Sequence, residues 1–151
     1  MTKTPNPRRA PYFDSELPPA VANAAVGDAM RHGVLTCPPD TPVRHIARMM
    51  VTNNVHSVLV RGAEPTSSWS VVSDLDVARA AGRSARGEEV LASDACGPAL
   101  TTHPGEKLTD AARRMADRHA THLLVLDEGS GEPVGVLSSL DVAAVWAWGL
   151  G

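Results

Sequence analysis

Apolar positions recur along the chain in two rhythms. Val43, Ile46, Ala47 and Met50 fall at i, i+3, i+4 and i+7, which predicts one buried helix face. Leu108, Ala111, Ala112 and Met115 repeat that spacing. Behind each helix comes a short apolar run, Ser57-Val58-Leu59-Val60 and His122-Leu123-Leu124-Val125-Leu126, of strand length. A polar loop containing glycine follows (61–68 and 127–132), then a second strand (69–72 and 134–137). A closing helix begins near Leu75 in one set and Leu140 in the other. Short leading strands are expected around Val34–Cys37 and Ala99–Thr102. Each set reads β-α-β-β-α.

The two sets are copies. Residues 35–78 lie over 100–143 without a gap. Identical pairs include Leu35/Leu100, Thr36/Thr101, Pro39/Pro104, Met50/Met115, Val60/Val125, Ser73/Ser138 and Asp76/Asp141. The turn Pro38–Pro42 offers Asp40 or Thr41 as a cap for the first helix. A unit of roughly 55 residues buries too little apolar surface to be secure alone. The two are therefore expected to pack sheet against sheet and share one core. The organisation read from the sequence is a Pro-rich arm (1–23), a first repeat (24–81), an exposed linker (82–90) and a second repeat (91–151). Tyr12 and Phe13 are candidate anchors for the arm.

Composition narrows the classes. The 151 residues are 43% apolar and 21% charged, as expected of a soluble globular chain rather than a disordered one. Aromatics are only 3%, so aliphatic side chains must build the core. No run approaches the ~20 apolar residues of a membrane span. Basic residues near the N-terminus have no apolar segment behind them, so a cytoplasmic location is expected. A net charge of −3 without a basic cluster argues against nucleic acid as a partner. Cys37 and Cys96 have no metal-ligand spacing and read as small hydrophobes or as a disulfide.

The candidate chemistry lies where the second strand of each copy runs into its closing helix. Ser70-Val71-Val72-Ser73-Asp74-Leu75-Asp76 and Gly135-Val136-Leu137-Ser138-Ser139-Leu140-Asp141 both place a hydroxyl at the strand end and a carboxylate one turn on. Amide groups and a hydroxyl at a helix N-terminus favour phosphate, and the carboxylate can accept both hydroxyls of a ribose. The same Ser-x-x-Asp pattern is also a helix-capping box that needs no ligand. His119 and His122 straddle a helix end and a strand start, so they are not expected to share a metal. Trp146 and Trp148 suit a dimer interface or core packing. No nucleophile elbow, zinc-hydrolase spacing or glycine-rich phosphate loop is present, so no catalytic residue is assigned.

From 26 to 146, the order and double occurrence of these pieces resemble a pair of CBS domains, the tandem called a Bateman module. The resemblance is carried by Pro104, Leu108, Ala112 and Met115, then His122–Asp127, then Gly135–Asp141, with Asp28-Ala29-Met30 and Asp94-Ala95-Cys96 similar to the lead-in helices. It implies an α+β fold of two β-α-β-β-α repeats packed sheet to sheet with pseudo-twofold symmetry. It also implies two clefts that take adenine-containing ligands (AMP, ADP or ATP; NAD or S-adenosylmethionine as further options), and assembly into a homodimer. One cleft would use Ser138 and Asp141, with Val34, Leu35 and Thr36 beside Val55 and His56. The other would use Ser73 and Asp76, with Ala99, Leu100 and Thr101 beside Ala120 and Thr121. Gly135 keeps the family's glycine where Ser70 departs from it, and Asp74 adds a charge where Ser139 is neutral. The Ser138/Asp141 cleft is thus expected to be the better site. The function implied is a non-catalytic ligand sensor acting on a protein partner, with no obligatory cofactor or metal. The alternative is an interaction or dimerisation module with vestigial clefts.

Overall fold

The computed structural model describes residues 19–62, 69–84 and 89–150. Helices α1 (Pro19–Asn23) and α2 (Val26–Ala29) lead to β1 (Arg31–His32) and β2 (Thr36–Cys37). Helix α3 (Val43–Asn53), β3 (Ser57–Val60), β4 (Ser70–Ser73) and α4 (Asp74–Ser84) complete the first copy. The second repeats the order with α5 (Ala92–Ala95), β5 (Gly97–Pro98), β6 (Thr101–Thr102), α6 (Leu108–Asp117), β7 (His122–Leu126), β8 (Pro133–Ser138) and α7 (Ser139–Trp148). The expected pattern of apolar spacing holds: Val43, Ile46 and Met50 of α3 are buried, as are Leu108, Ala111 and Met115 of α6. Strands β3 and β7 occupy the residues their apolar runs predict.

The fold is α+β, with two four-stranded sheets ordered β2-β3-β4-β5 and β6-β7-β8-β1. The central strand pairs are antiparallel, and the leading strands β2 and β6 run parallel to β3 and β7. The outermost strand of each sheet comes from the other copy. Strand β1 pairs with β8 (Arg31 opposite Val136, His32 opposite Gly135), and β5 pairs with β4 (Gly97 opposite Val71).

Packing follows the exchange. Val21, Ala24 and Val26 are buried with Leu108, Met115, Leu123 and Leu137 of the second copy. Ala92 is buried with Ile46, Val58 and Val72 of the first, and Val90 with Val43 and Ala80. Fully burying a side chain such as Val26 contributes about 1.5–3 kcal/mol. The expectation of one shared core is therefore corrected. Each sheet has its own core on its helix-covered face, and the copies are joined by the traded segments and by their facing sheets, where Leu59 and Leu124 are buried. Alternation along the strands turns Ser57, Leu59, Val71 and Ser73 of one sheet, and His122, Leu124 and Val136 of the other, away from those helices.

The exchange also caps helices. The first N–H groups of α3 and α6 donate to Val90 O and Ala24 O, each at 2.9 Å. This corrects the expected cap: Pro42 precedes α3 without a side-chain bond, while Thr41 Oγ1 donates to Pro38 O at 2.8 Å within the turn. A backbone carbonyl brought from the other copy satisfies the orphan donor instead. In the second copy, Arg114 Nη2 donates to Glu106 Oε2 at 2.6 Å and Nη1 to Thr101 O at 3.0 Å, tying α6 to β6.

Of the expected arm, residues 1–18, with Tyr12 and Phe13, lie outside the described residues, and 19–23 form α1. Residues 82–84 of the expected linker continue α4, 85–88 lie outside the described residues, and Val90 is buried. Both cysteines are free thiols, and burial pushes the Cys37 thiol up from its ordinary pKa. No described helix is long and apolar enough to cross a membrane.

Candidate functional site

Strand β4 passes into α4, and β8 into α7, with no intervening loop, so each Ser-Asp pair sits at a sharp strand-to-helix corner. At the second corner Ser138 N–H donates to Asp141 Oδ2 at 2.8 Å, and Asp141 N–H donates back to Ser138 Oγ at 3.1 Å. At the first, Ser73 N–H and Oγ both donate to Asp76 Oδ2 at 2.8 Å, and Asp76 N–H donates to Ser73 Oγ at 3.2 Å. The capping box is realised twice. It uses Oδ2 of each carboxylate, and Oδ1 faces an arginine outside the box. Asp76 Oδ1 lies 3.3 Å from Arg79 Nη1, and Asp141 Oδ1 lies 3.7 Å from Arg31 Nε.

A cavity of about 520 Å³ opens between the two sheets at the first corner. Ser73 and Asp76 line it from the first copy, facing Ala99, Leu100, Ala120 and Thr121 of the second. That groups the residues expected in this cleft, apart from Thr101, which lies in β6 outside the lining with its carbonyl accepting from Arg114. Arg118, His119 and His122 also line the cavity; the sequence reading weighed the two histidines only as metal ligands and did not single out Arg118. The duplication held a signal for His119. It is equivalent to Asn54, and both adopt a left-handed backbone at the end of the first helix (φ 51°). Asp74 reaches the cavity as well, but its Oδ2 lies 3.1 Å from His56 Nδ1.

The residues expected around Ser138 and Asp141 hold the matching positions of the first copy. Leu35 and Val55 pack against the core of the first copy, and Thr36 pairs with Leu59 at the sheet edge. Val34 is half-buried between β1 and β2. His56 is directed to Asp74, with its ring centroid 5.8 Å from that of His122. Arg31 lies across this corner, its Nη1 donating to Asn54 O at 3.4 Å while Nε faces Asp141.

The role expected for Gly135 is corrected. A Cβ there would collide with the carbonyl oxygen of Arg31 and stand 3.4 Å from Met30 Sδ. Close approach of β1 requires the glycine, and no ligand is needed to explain it.

Burial lowers the His122 pKa, and His56 adds to the effect, while the charges of Asp74 and Asp141 oppose it. The ring facing the cavity is thus held toward its neutral form. Among the described residues, no group of three or more His, Cys, Asp or Glu side chains is placed to hold a metal ion. Trp146 and Trp148 are exposed on α7, so neither packs in the core, and Leu75 and Leu140 are exposed at equivalent positions of α4 and α7.

A family profile described as CBS domain matches the chain twice, over residues 26–82 and 92–147. No curated protein sequence matches it. Among solved structures, the protein PAE2072 from Pyrobaculum aerophilum, complexed with AMP, is similar at 23% identity and a TM-score of 0.67, covering 78% of this chain and 88% of that one. The CBSX2 protein in complex with AMP shares 23% identity at a TM-score of 0.60, covering 81% and 95%. The CBS domain pair of the protein MJ0100, with 5′-methylthioadenosine and S-adenosyl-L-methionine, shares 16% at a TM-score of 0.69, covering 82% and 96%.

Proposed function

Because the chain belongs to the CBS domain family, we propose that it is a non-catalytic regulatory protein that binds an adenine-containing nucleotide between its repeats. The cavity at the Ser73/Asp76 corner carries this reading, because it joins a carboxylate at a helix N-terminus to an aliphatic recess from the other copy. Asp76 Oδ1 accepts the ribose hydroxyls, while the Ser73 hydroxyl and the first amides of α4 face the 5′ substituent. Ala99, Leu100 and Ala120 enclose the base without a stacking ring, in keeping with a chain that is only 3% aromatic. Adenosine compounds in the structures of PAE2072, CBSX2 and MJ0100 support this ligand class. Both copies wall the cavity, so a ligand that fits one arrangement of the sheets shifts the population toward it. The exposed Leu75 and Leu140 suit a homodimer, which would pass that shift to a partner protein in the cytoplasm.

Thermal unfolding with AMP, ADP, ATP, NAD and S-adenosylmethionine tests the reading. A ligand at 100 times its Kd adds about 2.7 kcal/mol of stability. At least one compound is expected to raise the melting temperature of the wild type and leave Asp76→Ala unmoved. No shift with any compound, or an equal shift in Asp76→Ala, overturns the assignment. The exposed Trp146 and Trp148 favour the second reading, an interaction module with unused clefts, which predicts no shift in either protein.

A further inference from the structure

The two corners are equivalent in pairing, yet the arginine on the outer carboxylate oxygen comes from a different element at each: Arg79 of α4 at Asp76, and Arg31 of β1 at Asp141. Val71 and Val136 stand at the same spacing before Asp76 and Asp141, and each is paired with a residue of the exchanged strand. At Val71 that residue is Gly97, which lines the cavity and has nothing within 4 Å of where a Cβ would lie. At Val136 it is Arg31, whose Nε lies 3.7 Å from Asp141 Oδ1 and whose Nη1 donates to Asn54 O. The guanidinium therefore fills the place that stays open at the other corner. It approaches the one Asp141 oxygen that the capping box leaves unused.

From this asymmetry we propose that Arg31 acts as a built-in plug of the Ser138/Asp141 cleft, so that each chain binds one nucleotide, at Ser73/Asp76. The proposal rests on the nucleotide reading above and reverses the order of the two clefts expected from sequence. The physical basis is competition for one acceptor. A ribose hydroxyl must displace Arg31 from Asp141, where the guanidinium is also held by Asn54 O. At Asp76 the arginine is Arg79, which reaches Oδ1 along its own helix, is 70% exposed and lies outside the cavity lining, and Gly97 adds no side chain there. The Arg31 side chain is 56% exposed, so it can be removed without opening a core.

Equilibrium dialysis with labelled AMP, repeated with labelled S-adenosylmethionine, counts sites per chain. The wild type is expected to hold one and Arg31→Ala two. The reciprocal substitution Gly97→Arg is expected to abolish binding, because the backbone there is outside the left-handed region and a side chain has space. The double variant regains one site, now sensitive to Asp141→Ala. Circular dichroism confirms that each variant is folded. Two sites in the wild type, one site in both wild type and Arg31→Ala, or a site lost in Arg31→Ala overturns the plug and leaves the nucleotide reading standing. Absence of binding in every variant removes that reading and the plug together.

Discussion

Replacing Gly135 by serine, the residue at the equivalent position 70, separates a structural role from a ligand role. The new Cβ would meet the Arg31 carbonyl oxygen, with the Arg31 carbonyl carbon at 3.3 Å and Met30 Sδ at 3.4 Å. Most of the obstacle is backbone, so a side-chain adjustment alone does not relieve it, and β1 must move off β8. That movement disturbs two register pairs, Arg31–Val136 and His32–Gly135. At about 0.5–1.5 kcal/mol net for each backbone hydrogen bond, the loss is about 1–3 kcal/mol. Restricting the unfolded chain by removing a glycine returns about 0.4–1 kcal/mol. The net destabilisation is then about 1–2 kcal/mol, or roughly 2–8 °C in melting temperature for a domain of this size. Differential scanning calorimetry measures it, and hydrogen exchange should show early loss of protection at the β1–β8 pairing. An unchanged melt with nucleotide binding lost would refute the reasoning, because the glycine would then be serving the ligand.

Two further outcomes follow from the ionisable groups. Arg114→Ala should cost about 1–2 kcal/mol in urea unfolding, since it removes the two guanidinium hydrogen bonds from a largely buried Glu106 carboxylate. Burial alone would raise the Glu106 pKa, but hydrogen bonds from Arg114 and Thr102 hold it below its ordinary value. Its contribution is present above the unfolded pKa of about 4.3 and is lost as pH falls below it, a loss that Arg114→Ala should abolish. His122 has the opposite charge. Its folded pKa is depressed, so as pH falls through about 6.5 the unfolded chain takes up the proton first and stability drops. Melting temperatures recorded from pH 7.5 to 5 should therefore decline less in His122→Asn than in the wild type, and parallel curves would show that His122 contributes nothing to the decline.

The sequence by itself determined the duplication, the helix faces of α3 and α6, strands β3 and β7, and both Ser-Asp corners. These features are local: a helix face or a strand declares itself by its period, and a capping box by two residues one turn apart. Tertiary structure decided which chain segment completes each sheet. Strands β1 and β5 are only two residues long, too short to show a period, and their partners lie in the other copy. That exchange carried the cap of α3 from Asp40 or Thr41 to the Val90 carbonyl and gave Gly135 its reason. It also set Arg31 against Asp141 and Gly97 beside the cavity. The carboxylates could be read from the chain, but the space in front of each depends on a side chain delivered by the other repeat, a distance that no local pattern encodes.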